Sequence, residues 1–139
     1  MPKDASGHLI PGPLGPMRRV DASIVRPEYV DKPAPQRFTG DEVKDAETIE
    51  RMRVAGRLAA RARELVGSHV VPGVTTDELD RIGHEHVTGH GAYPSTLGYR
   101  GFAKSVCSST VPSGMPWQMT SLMLEHTDLV KPRYPSVDG

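Results

Sequence analysis

The sequence predicts an α/β (α+β) fold on three observations: a proline- and glycine-rich leader, two helical segments split by a Pro-Gly break, and a glycine-interrupted run of aromatic and β-branched residues. With 139 residues the chain is long enough for one domain with its own core and short for two. Lys+Arg and Asp+Glu number 17 each, giving a net charge of +0, so there is no overall electrostatic footprint for a polyanion. The expectation is a chain without nucleic-acid specificity or membrane association. The basic groupings are the Met17, Arg18, Arg19 corner and the series Arg51, Arg53, Arg57, Arg61 and Arg63, which reads as the solvated side of a helix. Cys107 is the single cysteine, so no internal disulfide forms. With no apolar h-region at the N-terminus and no apolar run of membrane-spanning length, the expected location is cytoplasmic.

The elements follow in order. Residues 1–40 hold "IPGPLGP" and "RPEYVDKPAPQ" and predict an extended arm with polyproline II character. Pro33, Ala34 and Pro35 suit an aromatic groove as well as they suit a plain linker. From Asp45 to about Val66 the apolar residues Ile49, Met52, Ala55, Ala59 and Val66 recur at helical spacing. "VVPGVTT" breaks that helix at Pro72 and Gly73. Thr75 followed by Glu78 forms a capping box, with the hydroxyl accepting from an early N–H and the Glu reaching back. The second helix then starts near Thr76, carries Leu79, Ile82 and His86 or Val87 on one side, and stops at Gly89 to Gly91. "AYPSTLGYRGFAKSVCSS" reads as a glycine-broken strand and a loop.

His84, His86 and His90 form a cluster in which His86 and His90 would share a helix face as a metal pair. Glu85 precedes His86, so His-Glu-x-x-His is absent, and the glycines flanking His90 end the helix before it. No metal ligand is assigned. Cys107 has no nameable orienting acid or oxyanion site, and no catalytic residue is assigned in the chain.

The blocks "RMRVAGRLAA", "VVPGVTTDELDRIGHEH" and "GAYPSTLGYRGFAKSVCSS" together resemble the N-terminal portion of type I methionine aminopeptidases, in the actinobacterial form with an N-terminal extension. The resemblance runs from about Ala46 to Ser109, and "IVRPEYVDKPAPQ" is more loosely similar to the extension. It implies an N-terminal part of the pita-bread fold and divides the chain into an extension at 1–40, a catalytic-domain portion at 41–109 and a tail at 110–139. It further implies removal of the initiator methionine from nascent chains at a centre of two divalent metal ions, cobalt, manganese, iron or zinc in intact members. By the same resemblance Thr96, Tyr99, Phe102 and Cys107 line the pocket for the methionine side chain. A thioether is soft and polarizable, and aromatic edges and sulfur suit it. The alternative role is a non-catalytic binding module that uses residues 1–40 on the ribosome or an SH3-like partner. Ala103 stands where the family commonly has proline.

After Ser109 the family's metal-ligand motifs are missing, and "TVPSGMPWQMTSLMLEHTDLVKPRYPSVDG" stands instead. The expectation is an inactive, truncated fragment with a disordered tail, in which Glu125, His126 and Asp128 hold no functional metal. Reverse-complemented codons for Met115 to Thr120, shifted by one base, permit Asp-Val-Ile-Cys-His-Gly. The same operation on Met123 to Thr127 permits Val-Cys-Ser-Ser-Ile, and on Lys131 to Ser136 it permits Leu-Gly-Tyr-Arg-Gly-Phe. The last two repeat stretches of this chain in an order that fits one opposite-strand copy, the product of an inverted duplication joined near Thr110. Such an event leaves an inverted repeat in the gene, and a gene without one contradicts it.

Overall fold

The computed structural model describes residues 4–8 and 13–108. Two helices, α1 (Ala46–Ser68) and α2 (Thr76–Gly89), pack on each other, and irregular chain on both sides of the pair folds back over them. Asp45 caps α1, its carboxylate accepting from the Thr48 N–H at 2.7 Å. At the other end the Ser68 hydroxyl and His69 Nδ1 both donate to the Leu65 carbonyl, satisfying a backbone acceptor that the helix leaves open. The buried stripe is Ala55, Ala62 and Val66, narrower than the spacing suggests. Ile49 is 39% exposed, and Met52 and Ala59 are half-buried. Arg51, Arg53, Arg57, Arg61 and Arg63 are exposed, as expected of a solvated side.

Thr75 caps α2 by accepting from the Glu78 N–H at 3.1 Å. The second half of the expected capping box does not form. The Glu78 carboxylate instead takes the Arg81 guanidinium at 2.6 and 2.9 Å, a two-bond ionic contact that outcompetes a single bond to a backbone N–H. α2 buries Leu79, Asp80, Gly83 and His84, so its inner face is partly polar. Gly83 permits the close approach of α2 to its neighbours: a Cβ there would collide with a Val106 methyl and lie 3.2 Å from a Val66 methyl.

The strand expected within residues 92–108 is absent, and no strand occurs among the described residues. Successive turns consume the backbone groups locally. Leu97 N–H donates to Pro94 O at 3.0 Å, Tyr99 N–H to Thr96 O at 3.1 Å, and Phe102 N–H to Tyr99 O at 2.9 Å. Gly98 closes the loop by donating to Phe102 O at 2.7 Å. Gly98 and Gly101 adopt φ of 81° and 79°, which side-chain-bearing residues resist, and Arg100 between them is held left-handed at φ 48°, so Tyr99–Gly101 is a tight irregular turn. The glycines therefore set a chain of turns where they would only have interrupted a strand.

The leader differs more from its expectation. Residues 13–31 are docked, with Ile24, Tyr29 and Val30 forming a core cluster with Tyr93 and Leu97, and Val20 and Tyr99 packing at its edge. The Asp21 carboxylate and carbonyl take the N–H groups of Ser23 and Ile24 in a turn that aims Ile24 inward. Proline and glycine spacing conceals this burial, because the inward residues follow turns and have no helix or strand period. Segment 110–139, for which disorder is expected, lies outside the described residues. No helix among the described residues is long and apolar enough to cross a membrane.

Gly83→Ala should destabilise the fold by about 1–3 kcal/mol, because both neighbours are stiff β-branched side chains. Denaturant midpoints check this. A midpoint equal to wild type would mean that the helices do not approach this closely.

Candidate functional site

The loop carrying the expected pocket residues is held by a polar cluster on the inner face of α2. Asp80 is 2% exposed. One of its oxygens accepts from the N–H groups of Ser105 at 2.7 Å and Val106 at 2.9 Å, and the other accepts from Arg18 Nε at 2.9 Å. A single carboxylate thus ties α2 to the leader and to the chain just before Cys107. Arg18 also donates to the Asp77 carbonyl and carboxylate, both at 2.8 Å, and Lys104 reaches the same carboxylate at 2.7 Å. The Lys104 hydrogen bond, with the charge of Arg18, holds the Asp77 carboxyl below its ordinary range.

Ser105 is fixed through its side chain and carbonyl as well. Its hydroxyl lies 2.7 Å from His84 Nδ1, while His84 Nε2 lies 3.0 Å from the Arg19 carbonyl. A carbonyl only accepts, so Nε2 carries a proton; in the neutral ring Nδ1 therefore accepts from Ser105. The Thr96 hydroxyl donates to the Ser105 carbonyl at 2.6 Å.

Of the expected pocket residues, Thr96 is half-buried with its hydroxyl proton committed to Ser105, leaving its methyl as the free end. Tyr99 is half-buried at the edge of the core cluster, with its ring centroid 5.4 Å from that of Tyr29 in a T-shaped contact. Phe102 is 42% exposed, and Cys107 is half-buried with a free thiol. The Thr96 to Ser105 bond places Thr96 against the residue two before Cys107, whereas Tyr99 belongs to the core edge built with the leader. A partly open apolar cavity of about 30 Å³ lies beside the ends of this loop, lined by Ala62, Val66, Tyr93, Ser95, Ser105 and Val106, and none of the four expected pocket residues lines it.

His84, His86 and His90 do not converge. His84 is buried with both ring nitrogens committed. The His90 ring sits 4.5 Å from that of His86, with Nδ1 donating to the His86 carbonyl at 2.7 Å. Among the described residues His86 Nε2 is enclosed without a partner, and burial, followed by the charges of His90 and Arg61, lowers its pKa from 6.5. Among the described residues no group of three or more His, Cys, Asp or Glu side chains is placed to hold a metal ion. The described residues therefore do not fit a two-metal centre. Glu125, His126 and Asp128 lie outside the described residues.

Residues 50–132 match the profile of metallopeptidase family M24, and the chain belongs to that family. The match runs past Ser109, where the sequence reading puts the boundary of family resemblance. Membership implies the pita-bread fold for the domain to which these helices belong, and divalent metal ions in intact members. Within the family the chain is similar to methionine aminopeptidases. It is 59% identical over 101 residues to methionine aminopeptidase 2 of Mycobacterium tuberculosis, covering 73% of this chain and 35% of that protein. It is 47% identical over 126 residues to the chloroplastic/mitochondrial methionine aminopeptidase 1D of Arabidopsis thaliana, covering 88% of this chain and 35% of that protein. With the methionine aminopeptidase of Salmonella typhimurium the identity is 50% over 68 residues, 48% of this chain and 26% of that protein. The chain thus spans about a quarter to a third of the length of these relatives.

Because the folded-state pKa of His86 is depressed, its contribution to stability is present above the unfolded value of 6.5 and is lost as pH falls below it. Unfolding midpoints at pH 7.5 and 5.5 should drop less in His86→Gln than in wild type. An equal drop in both would remove His86 from the acid response.

Proposed function

We propose that the chain contributes the methionine-recognising wall of a methionine aminopeptidase: Thr96, Tyr99, Phe102 and Cys107 receive the side chain of an N-terminal methionine, and the chain itself carries no metal centre. The observation that carries this reading is the pinning of the 96–107 loop by Asp80 and Ser105. It holds a threonine methyl, two aromatic rings and a thiol on turns, where packing alone would leave them mobile. A thioether gains from sulfur–aromatic and dispersion contacts with such groups, and a charged side chain gains nothing comparable. The substrate class is the nascent chain beginning with methionine, following the relatives that carry the methionine aminopeptidase name. In an intact enzyme two divalent ions supply the hydrolytic chemistry. The residues of this chain bind and orient the methionine side chain and keep water from it. The leader as a free binding module on the ribosome or an SH3-like groove has no comparable support, since Ile24, Tyr29 and Val30 are spent in the core.

Titration of the full chain with a Met-Ala-Ser peptide, followed by amide NMR, should move the signals of Thr96, Tyr99, Phe102 and Cys107, while Lys-Ala-Ser leaves them in place. Added cobalt or manganese should bring no hydrolysis. Equal responses to the two peptides would defeat the pocket assignment. Hydrolysis that a chelator abolishes would defeat the claim that the chain carries no metal centre.

A further inference from the structure

The leader packs against the pocket loop through one aromatic residue. Tyr29 is 4% exposed, and its hydroxyl donates to the Ser95 carbonyl at 2.6 Å, on the residue before Thr96. Its ring meets Tyr99 edge to face at 5.4 Å and 82°. The adjoining Val30 seals the same turn, with a methyl 3.2 Å from where a Gly98 Cβ would sit. Gly98 at φ of 81° is the pivot on which Tyr99 turns, so Val30 and Tyr29 brace both the pivot and the ring that it carries. On its other side Tyr99 faces the Arg100 guanidinium at 5.7 Å, a longer and more solvated contact. Tyr99 packs at the edge of the cluster to which the leader contributes Ile24, Tyr29 and Val30, beside Tyr93 and Leu97.

We propose that Tyr29 is a positioning residue for methionine recognition: its ring sets the orientation of Tyr99. The inference rests on the pocket reading given under Proposed function and adds a role for the N-terminal extension there. The extension would shape the substrate pocket from within the fold, as a fixed inner wall behind the loop. An edge-to-face contact restricts the ring to one orientation, whereas an aliphatic side chain of similar volume fills the space without choosing an angle.

The full chain labelled with 3-fluorotyrosine gives a direct readout, with the Tyr99 fluorine signal assigned by substitution and Met-Ala-Ser as the ligand probe. Tyr29→Leu should move the Tyr99 signal towards that of free fluorotyrosine and weaken peptide binding about three- to tenfold, the range of one lost aromatic pair. Helical circular dichroism should be retained. Tyr29→Phe keeps the ring and should keep the Tyr99 signal and affinity within about twofold. An unmoved Tyr99 signal in Tyr29→Leu, or a moved signal with wild-type affinity, overturns the proposal. Should Tyr29→Leu lose its helical signal, Tyr29→Phe decides: a retained Tyr99 signal supports the proposal and a displaced one overturns it. If the wild type binds no Met-Ala-Ser, the pocket reading fails, and the fluorine signal alone then decides whether Tyr29 orients Tyr99.

Discussion

A buried carboxylate governs this structure. Removing an ionised carboxylate from water costs several kcal/mol unless its lone pairs find donors in good geometry. Asp80 finds three: the Ser105 and Val106 N–H groups and the Arg18 guanidinium. Each comes from a segment that has no periodic structure of its own. The bonds are charge-assisted and short, and they are directional where apolar packing is not. The leader, α2 and the loop ending near Cys107 therefore share one anchor, and displacement of any of them exposes unpaired groups on the other two.

The apolar part is small and divided. Val66 and Leu97 are the large side chains buried almost completely, the first under α2 and the second in the cluster that the leader closes. Asp80 and Ser105 bridge the helix pair and the leader-closed cluster through hydrogen bonds. The same bridge positions the candidate pocket: Ser105, bonded through its N–H, hydroxyl and carbonyl, lies between Thr96 and Cys107. The fold delivers function in this reading by fixing a turn-rich loop with polar bonds and then orienting its aromatic ring from the leader side.

The helices were legible because Asp45, Thr75, Pro72 and Gly73 are local signals, and both helices fall within a few residues of where these put them. The inward burial of Asp80 and His84 was not legible, since polarity on a helix reads as solvent-facing and their partners lie 25 and 21 residues downstream. Arg18 is a similar case; it appeared as part of a small basic corner and is a half-buried partner of the buried Asp80. Gly98 and Gly101 were seen as interruptions of a strand, and their positive φ makes them builders of turns. The methionine-pocket residues came from resemblance. Residue chemistry alone gave no reason to prefer Phe102 or Cys107 over ordinary core positions, and the docking of Tyr29 against Tyr99 left no trace in spacing.

Amide hydrogen exchange at Ser105 and Val106, compared between wild type and Asp80→Ala, tests most directly whether this carboxylate is the common anchor. Protection at both amides should be lost in the variant, together with protection at Ile24 and Val30 in the leader, while the interior of α1 near Ala62 exchanges more slowly than either. Unchanged protection at Ser105 and Val106 in Asp80→Ala would show that the loop is held by something else and would contradict the account.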